Sequence, residues 1–332
     1  MDRVEKVPVL LTCSPGWRIH EQFLERCEQD ELVHERVAWI VLPPDALRPE
    51  VLAQAEVVVC GHFAREWLPH CRRLRWIQFL GAGIEGSLSP ELLASDVILT
   101  NASGVHAVPI AEHVLGVMLM FVRGLHRCVR QQTQAEWNRD GFREQVGELH
   151  GATLGVVGLG AIGAAVAERA KALGMRVLAT RRHLGQRPEY VDLLYPPSQL
   201  SDLLRESEYV VLCVPLTRET HHLIGETELR QMRRDAILIN ISRGAVVHQP
   251  ALVRALQEGW IAGAGLDVFD PEPLPADSPL WHLPNVIISP HVSGVTPHYG
   301  TRAAEIFLHN LHAFLADDPA SMVNVVDKQA GY

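Results

Sequence analysis

Short runs of β-branched and aliphatic residues recur along the chain, separated by stretches in which apolar positions return every three or four residues. Such alternation is the mark of parallel sheets whose faces are covered by helices. The first series predicts strands at Val7 to Thr12, Val37 to Leu42, Val57 to Cys60, Arg75 to Phe79 and Val97 to Thr100. A second series follows at Thr153 to Val157, Arg176 to Thr180, Tyr209 to Val214, Ala236 to Ile241, Ile261 to Asp267 and Val286 to Ser289. Each series makes a doubly wound sheet, so the expected fold class is α/β with two parallel-sheet domains.

Between the two series, from Ile110 to about Val129, apolar residues crowd one helix, read as a connector that leaves one domain and enters the other. Near the end, Ala304, Phe307, Leu311, Phe314 and Leu315 fall at helical spacing within Thr301 to Ala316, a helix expected to return the chain to the first domain. No internal repeat or low-complexity run interrupts the pattern, which implies ordered crossings and not a tether. The longest strongly apolar stretch, Val114 to Val122, falls well short of the roughly 20 residues that span a bilayer. Asp2, Arg3, Glu5 and Lys6 precede a short apolar run, which is not a signal-peptide layout, so a cytoplasmic location without membrane association is expected.

Composition adds to this picture. With 332 residues, 47% hydrophobic and 21% charged, the chain can bury a real core, and its length favours two domains. The net charge of -9 comes with only three lysines (Lys6, Lys171 and Lys328) and no basic cluster, which argues against a nucleic-acid partner. Cys13, Cys27, Cys60, Cys71, Cys128 and Cys213 form no CxxC pair; they read as reduced structural thiols, and no metal is expected.

The run LGVVGLGAIGAAVAERAKALG sets Gly158, Gly160 and Gly163 in GxGxxG spacing directly after an apolar strand and before an Ala-rich helix. That context turns a weak motif into a dinucleotide fingerprint, since the glycines permit a tight turn, close approach of the pyrophosphate and close helix packing. The free amides of Ala161 and Ile162 would then hold phosphate. At the end of the next strand NAD enzymes usually carry an acidic residue for the ribose hydroxyls, but here Thr180, Arg181 and Arg182 occupy the corner. Two guanidinium groups match the extra phosphate of NADP, which makes NADP the expected cofactor with NAD as the alternative.

Three later segments end strands in polar loops: INISRGAVV with Arg243, GLDVFDPEPL with Asp267 and Glu272, and ISPHVSG with His291. Carboxyl ends of strands line the ligand crevice of an open α/β sheet, so these groups can converge. Singly, each reads as an ordinary surface or structural residue. Together they supply what reduction of a keto acid demands, because hydride arriving at a carbonyl carbon builds negative charge on oxygen. His291 can donate the proton, Arg243 can clamp a carboxylate and polarise the carbonyl, and Glu272 can fix the imidazole tautomer and favour the imidazolium.

GLGAIG, PLTRET, NISRGAVV, GLDVFDPEP and SPH, in this order, resemble the successive signatures of the D-2-hydroxyacid dehydrogenase family, which includes glyoxylate/hydroxypyruvate reductases and phosphoglycerate dehydrogenases. The resemblance extends upstream to FLGAGIEG and TNASGVHAVPIAEH and downstream to MVNVV, covering nearly the whole chain. It implies a Rossmann cofactor domain, here 103–296, and a discontinuous flavodoxin-like substrate domain, here 1–102 plus 297–332. It implies that Arg243 binds substrate, that His291 is the acid/base and Glu272 its partner, and that Asp267 meets the nicotinamide carboxamide. It further implies that amides around Ala82, Gly83 and Ile84 hold the substrate carboxylate, though a plain glycine turn is the other reading of that loop. By the same likeness Pro215 and Thr220 border the adenosine, Ile241 borders the nicotinamide ribose, and the chain forms a homodimer through the cofactor domain.

The sequence departs from the family pattern in carrying Arg181 where an acidic residue is usual, and the regulatory domain of some phosphoglycerate dehydrogenases is not expected here. Phe63, Leu80 and Trp137 are candidates to face the substrate side chain, with core or surface packing equally open to each. The implied substrate is a small 2-keto or D-2-hydroxy acid of the glyoxylate or hydroxypyruvate type. Two alternatives stand beside this: a non-catalytic dinucleotide-sensing scaffold similar to the C-terminal-binding-protein corepressors, and oxidation of phosphite or formate on the same fold.

Overall fold

The structure is a computed structural model that describes residues 6–12, 18–142 and 146–328. The chain divides into two compact units, one of Met1–Val105 with Thr296–Tyr332 and the other of His106–Val295. Of the residues singled out above, Asp2, Arg3, Glu5 and Cys13 lie outside the described ones.

The first unit is built on five parallel strands, β1 (Val7–Thr12), β2 (Val37–Leu42), β3 (Val57–Cys60), β4 (Trp76–Phe79) and β5 (Ile98–Thr100), in the order β2-β1-β3-β4-β5. This is the flavodoxin-like order. Every residue of β3 and β4 is buried, as expected of strands covered on both faces, whereas edge strand β2 is only partly buried. On one face Trp76 stacks on Phe307 of the closing helix Tyr299–Leu315, with ring centroids 5.3 Å apart. Inside the sheet, Gln78 Oε1 accepts from Thr100 Oγ1 at 2.8 Å and from Asn310 Nδ2 at 3.1 Å. That satisfied polar network pins the closing helix to β4 and β5, because leaving any of its buried groups unpaired would be costly.

The second unit carries seven parallel strands: β6 (Thr153–Val157), β7 (Arg176–Thr180), β8 (Leu193–Tyr195), β9 (Tyr209–Leu212), β10 (Ile237–Asn240), β11 (Gly263–Leu266) and β12 (Val286–Ile288). Their order, β12-β11-β10-β9-β6-β7-β8, reverses direction between β6 and β9, the switch point where a Rossmann sheet binds its ligand.

Several observed elements differ from the sequence reading. β9 and β11 are shorter than predicted, because Cys213 and Asp267 already belong to the loops that leave the sheet. The sequence reading did not include β8, whose three residues lie at the sheet edge with Leu193 40% exposed, too short a run to carry a period. The predicted connecting helix is two helices, Ala107–Val122 and Leu125–Thr133, bent by 71°. Gly124 makes the break with φ of 64°, a left-handed conformation that glycine adopts without steric cost. Both helices belong to the second unit. Among the described residues no single helix is long and apolar enough to cross a membrane.

Candidate active site

β6 runs into Gly158, at φ of 99°, and two residues later Gly160 opens the helix Ala161–Ala172. A Cβ on Gly158 would lie 2.8 Å from Val214, and one on Gly163 would lie 2.2 Å from the Gly158 carbonyl oxygen. Both positions therefore exclude any side chain. A Cβ on Gly160 meets nothing within 4 Å, so the middle glycine borders open space. The first amides of that helix, at Ala161 and Ile162, have no intrahelical acceptor, and the bare backbone suits a phosphate. The glycine turn thus fits the pyrophosphate of a dinucleotide.

Thr180, at the end of β7, is buried, and its Oγ1 accepts the Gly158 N–H at 3.0 Å. Its hydroxyl braces the glycine turn, while Arg181 and Arg182 stand exposed beyond it. Arg182 Nη2 lies 4.0 Å from Glu219, so a carboxylate does stand near this corner, brought by the turn after β9 and not by β7. Within that turn Thr220 Oγ1 donates to the Pro215 carbonyl at 2.5 Å and accepts from the Thr217 N–H at 2.7 Å. Ile241 is buried against the sheet just past β10.

Beyond β10, Asn240 Oδ1 accepts from the Ser242 amide and hydroxyl at 3.1 and 2.9 Å, and its Nδ2 donates to the Arg243 carbonyl at 3.0 Å. This folds the backbone back on itself and turns the Arg243 side chain outward, where it is exposed. Gly244 follows because nothing larger fits: its Cβ would lie 1.9 Å from the Phe269 carbonyl carbon. The Arg243 loop therefore lies directly against the loop carrying Glu272. Glu272 Oε1 accepts the Phe269 N–H at 2.8 Å, which leaves Oε2 to accept from His291 Nδ1, also at 2.8 Å. With Nδ1 as donor, the neutral imidazole carries its lone pair on Nε2.

His291 sits at φ of 55°, a region that non-glycine residues seldom occupy and that is often functional. Asp267 holds it there. The His291 N–H donates to the Asp267 carbonyl at 2.9 Å, and Asp267 Oδ1 accepts from Ser289 Oγ at 2.6 Å and the Val292 N–H at 2.9 Å. Oδ2 accepts the Ser293 N–H at 3.0 Å. Burial pushes this carboxyl up, but the hydrogen bonds from Ser289, Ser293 and Val292 outweigh it and hold the group below the usual carboxylate range. Asp267 thereby shapes the histidine loop, a task that the family likeness did not imply.

Sequence reasoning missed three further residues. Ser289 is shared between Asp267 and His113, whose Nε2 lies 3.2 Å from its hydroxyl. His106 donates from Nδ1 to the Gly294 carbonyl at 3.0 Å. Burial lowers the pKa of His106, which the Gly294 bond opposes and the Arg243 guanidinium lowers further. For His106 and His113 the run NASGVHAVPIAEH was the available signal; Ser289 had none.

In the first unit, the loop after β4 exposes Ala82 and Gly83 and buries Ile84. Phe63 and Leu80, 1% and 4% exposed, are core residues of that unit. Phe63 meets Trp67 edge-on with centroids 5.5 Å apart, so packing and not a ligand accounts for it. Trp137 is 93% exposed.

Known proteins bear on these features. The family profile described as D-isomer specific 2-hydroxyacid dehydrogenase, NAD binding domain, matches residues 115–293, more than half of the chain. The glyoxylate reductase of Korarchaeum cryptofilum is 41% identical over 258 residues, 76% of this chain and 76% of its own length. Glyoxylate/hydroxypyruvate reductase B of Pectobacterium atrosepticum is 39% identical over 276 residues, 82% and 86% of the two chains. Among solved structures, a D-isomer specific 2-hydroxyacid dehydrogenase from Xanthobacter autotrophicus in complex with NADPH and MES superposes with a TM-score of 0.81 at 27% identity, covering 99% of this chain and 100% of that one. The glycine turn, the His291–Glu272 pair beside Arg243 and these likenesses agree: the chain belongs to the D-2-hydroxyacid dehydrogenase family and is an NAD(P)-dependent 2-keto acid oxidoreductase.

Proposed function

We propose that this protein reduces a small 2-keto acid of the glyoxylate or hydroxypyruvate class to its D-2-hydroxy acid, with NADP(H) preferred over NAD(H). The observation that carries the reading is the 2.8 Å bond from His291 Nδ1 to Glu272, held next to Arg243 by the close crossing at Gly244. The nicotinamide supplies the hydride when bound. His291 delivers the proton from Nε2 to the carbonyl oxygen, and Glu272 fixes the ring by accepting from Nδ1. Arg243 binds the carboxylate and draws charge toward the carbonyl oxygen. In the first unit the amides of Ala82, Gly83 and Ile84 receive the substrate carboxylate.

For the cofactor, Gly158, Gly160, Ala161, Ile162 and Gly163 take the pyrophosphate, and Arg181 and Arg182 take the 2′-phosphate. Pro215, Thr220 and Ile241 line the remainder, while Asp267 serves through the loop it shapes. A homodimer in the cytoplasm, acting on a free small molecule without nucleic acid or membrane, completes the reading; the names of the relatives above support the substrate class.

The test follows loss of reduced-cofactor absorbance with NADPH or NADH and a panel of 2-keto acids. Turnover with glyoxylate or hydroxypyruvate is expected, abolished in His291→Ala and reduced by about two to three orders of magnitude in Arg243→Ala. Full activity in His291→Ala, or a preference for NADH, contradicts the corresponding part of the proposal.

A further inference from the structure

We propose that Tyr299 and Asn101 are positioning residues that preset the loop Leu80–Ile84 to receive a carboxylate. The inference rests on the reading that the amides of Ala82, Gly83 and Ile84 hold that group.

Three consecutive carbonyls of this loop are tied back into the first unit. Tyr299 Oη donates to the Leu80 carbonyl, the Ala102 N–H donates to the Gly81 carbonyl at 3.0 Å, and Asn101 Nδ2 donates to the Ala82 carbonyl at 3.2 Å. Asn101 is itself fixed, since its Oδ1 accepts the Ser103 N–H at 2.9 Å and its carbonyl accepts from Asn324 Nδ2 at 3.2 Å. Among the described residues, the amides of Ala82, Gly83 and Ile84 donate to no protein acceptor. Each peptide is rigid and sets its C=O opposite the next residue's N–H, so committing the carbonyls of Leu80, Gly81 and Ala82 orients the N–H groups of Gly81, Ala82 and Gly83 away from those anchors, as donors for an anion.

Tyr299 begins the closing helix, and Asn310 of the same helix is bonded to Gln78 in β4, the strand that leads into the loop. The anchor and the strand are thus bonded to each other, and the loop is held at both its start and its carbonyls. Phe63 and Leu80, which sequence reasoning offered as substrate contacts, are buried, so the backbone and not these side chains is what the loop presents. Donors fixed in advance bind an anion without the cost of ordering them on binding.

The experiment compares wild type with Tyr299→Phe and Asn101→Ala, measuring kcat and KM for glyoxylate, the inhibition constant of oxamate, and NADPH affinity. Hydrogen–deuterium exchange of the peptide spanning residues 80–86 is followed with and without oxamate. Each variant is expected to raise KM and the oxamate constant together by roughly three- to tenfold, with kcat within about twofold and NADPH affinity unchanged. A merely structural role would lower the melting temperature without this split. Should oxamate protect the wild-type loop while both variants keep wild-type KM and inhibition constants, positioning is overturned and the loop reading stands. Should oxamate fail to protect the wild-type loop, that reading falls and the inference with it.

Discussion

His291 donates its backbone N–H to the Asp267 carbonyl at 2.9 Å, while the Asp267 carboxylate gathers the amides of Val292 and Ser293. Asp267→Asn places an amide group where a carboxylate accepts these donors, so at least one buried N–H loses its partner at about 1–3 kcal/mol. The melting temperature should fall by several degrees, and kcat by roughly ten- to a hundredfold as His291 shifts, with NADPH affinity little changed. A loss confined to NADPH affinity would instead make the nicotinamide carboxamide its main partner. The pH dependence has a definite sign. Because the folded carboxyl titrates below its ordinary value of 3.8, its stabilisation is complete above that value and is lost as pH falls through the folded one. The gap in melting temperature between wild type and Asp267→Asn should therefore narrow on acidification below about pH 4.

Glu272 divides its two oxygens between the Phe269 amide and His291 Nδ1, each at 2.8 Å. Glu272→Gln removes the negative charge but keeps an oxygen that can accept. The imidazole then loses the charged anchor of its Nδ1–H, and kcat should fall by about tenfold with NADPH affinity little changed. Wild-type kcat in a folded Glu272→Gln protein would remove Glu272 from the proton chemistry.

Much of this arrangement was legible in the sequence because it depends on local patterns. The glycine spacing requires only its strand and helix, and Arg243, Glu272 and His291 stand where apolar runs end. What stayed hidden depends on direction and on distant chain. The left-handed break at Gly124 splits a continuous apolar run that reads as one helix. Phe63 and Leu80 follow strands as site residues do, yet both turn into the core. Ser289 and His113 are single polar residues whose meeting at 3.2 Å no spacing announces.

Gly244 is the contact on which the site's assembly turns. A methyl group there would meet the Phe269 carbonyl at 1.9 Å, and a backbone obstacle cannot swing aside as a flexible side chain can. Gly244→Ala should separate the Arg243 loop from the Glu272 loop, lowering kcat/KM at least a hundredfold. The cost to stability should be of the order of 1–3 kcal/mol, read as a fall in melting temperature. Near-normal kinetics in a folded Gly244→Ala protein would show that the two loops need not touch.

On the proposal that NADP(H) is the preferred cofactor, its 2′-phosphate enters a contest at the end of β7. Arg182 lies 4.0 Å from Glu219, and both are more than half exposed, so water weakens their attraction and the pair is worth little to stability. A 2′-phosphate carries more charge than the carboxylate and accepts the guanidinium fork in two places, so it should displace Glu219 as the preferred partner. Replacing Arg181 and Arg182 together by serine should cut kcat/KM for NADPH by roughly a hundredfold while leaving NADH within a few fold. Glu219→Gln removes the competitor, and should tighten NADPH by about two- to threefold at low ionic strength, with the gain fading as salt is added. If the double serine variant loses NADH and NADPH equally, the arginines serve the shared pyrophosphate; a Glu219→Gln gain that ignores salt would mean that charge is not its cause.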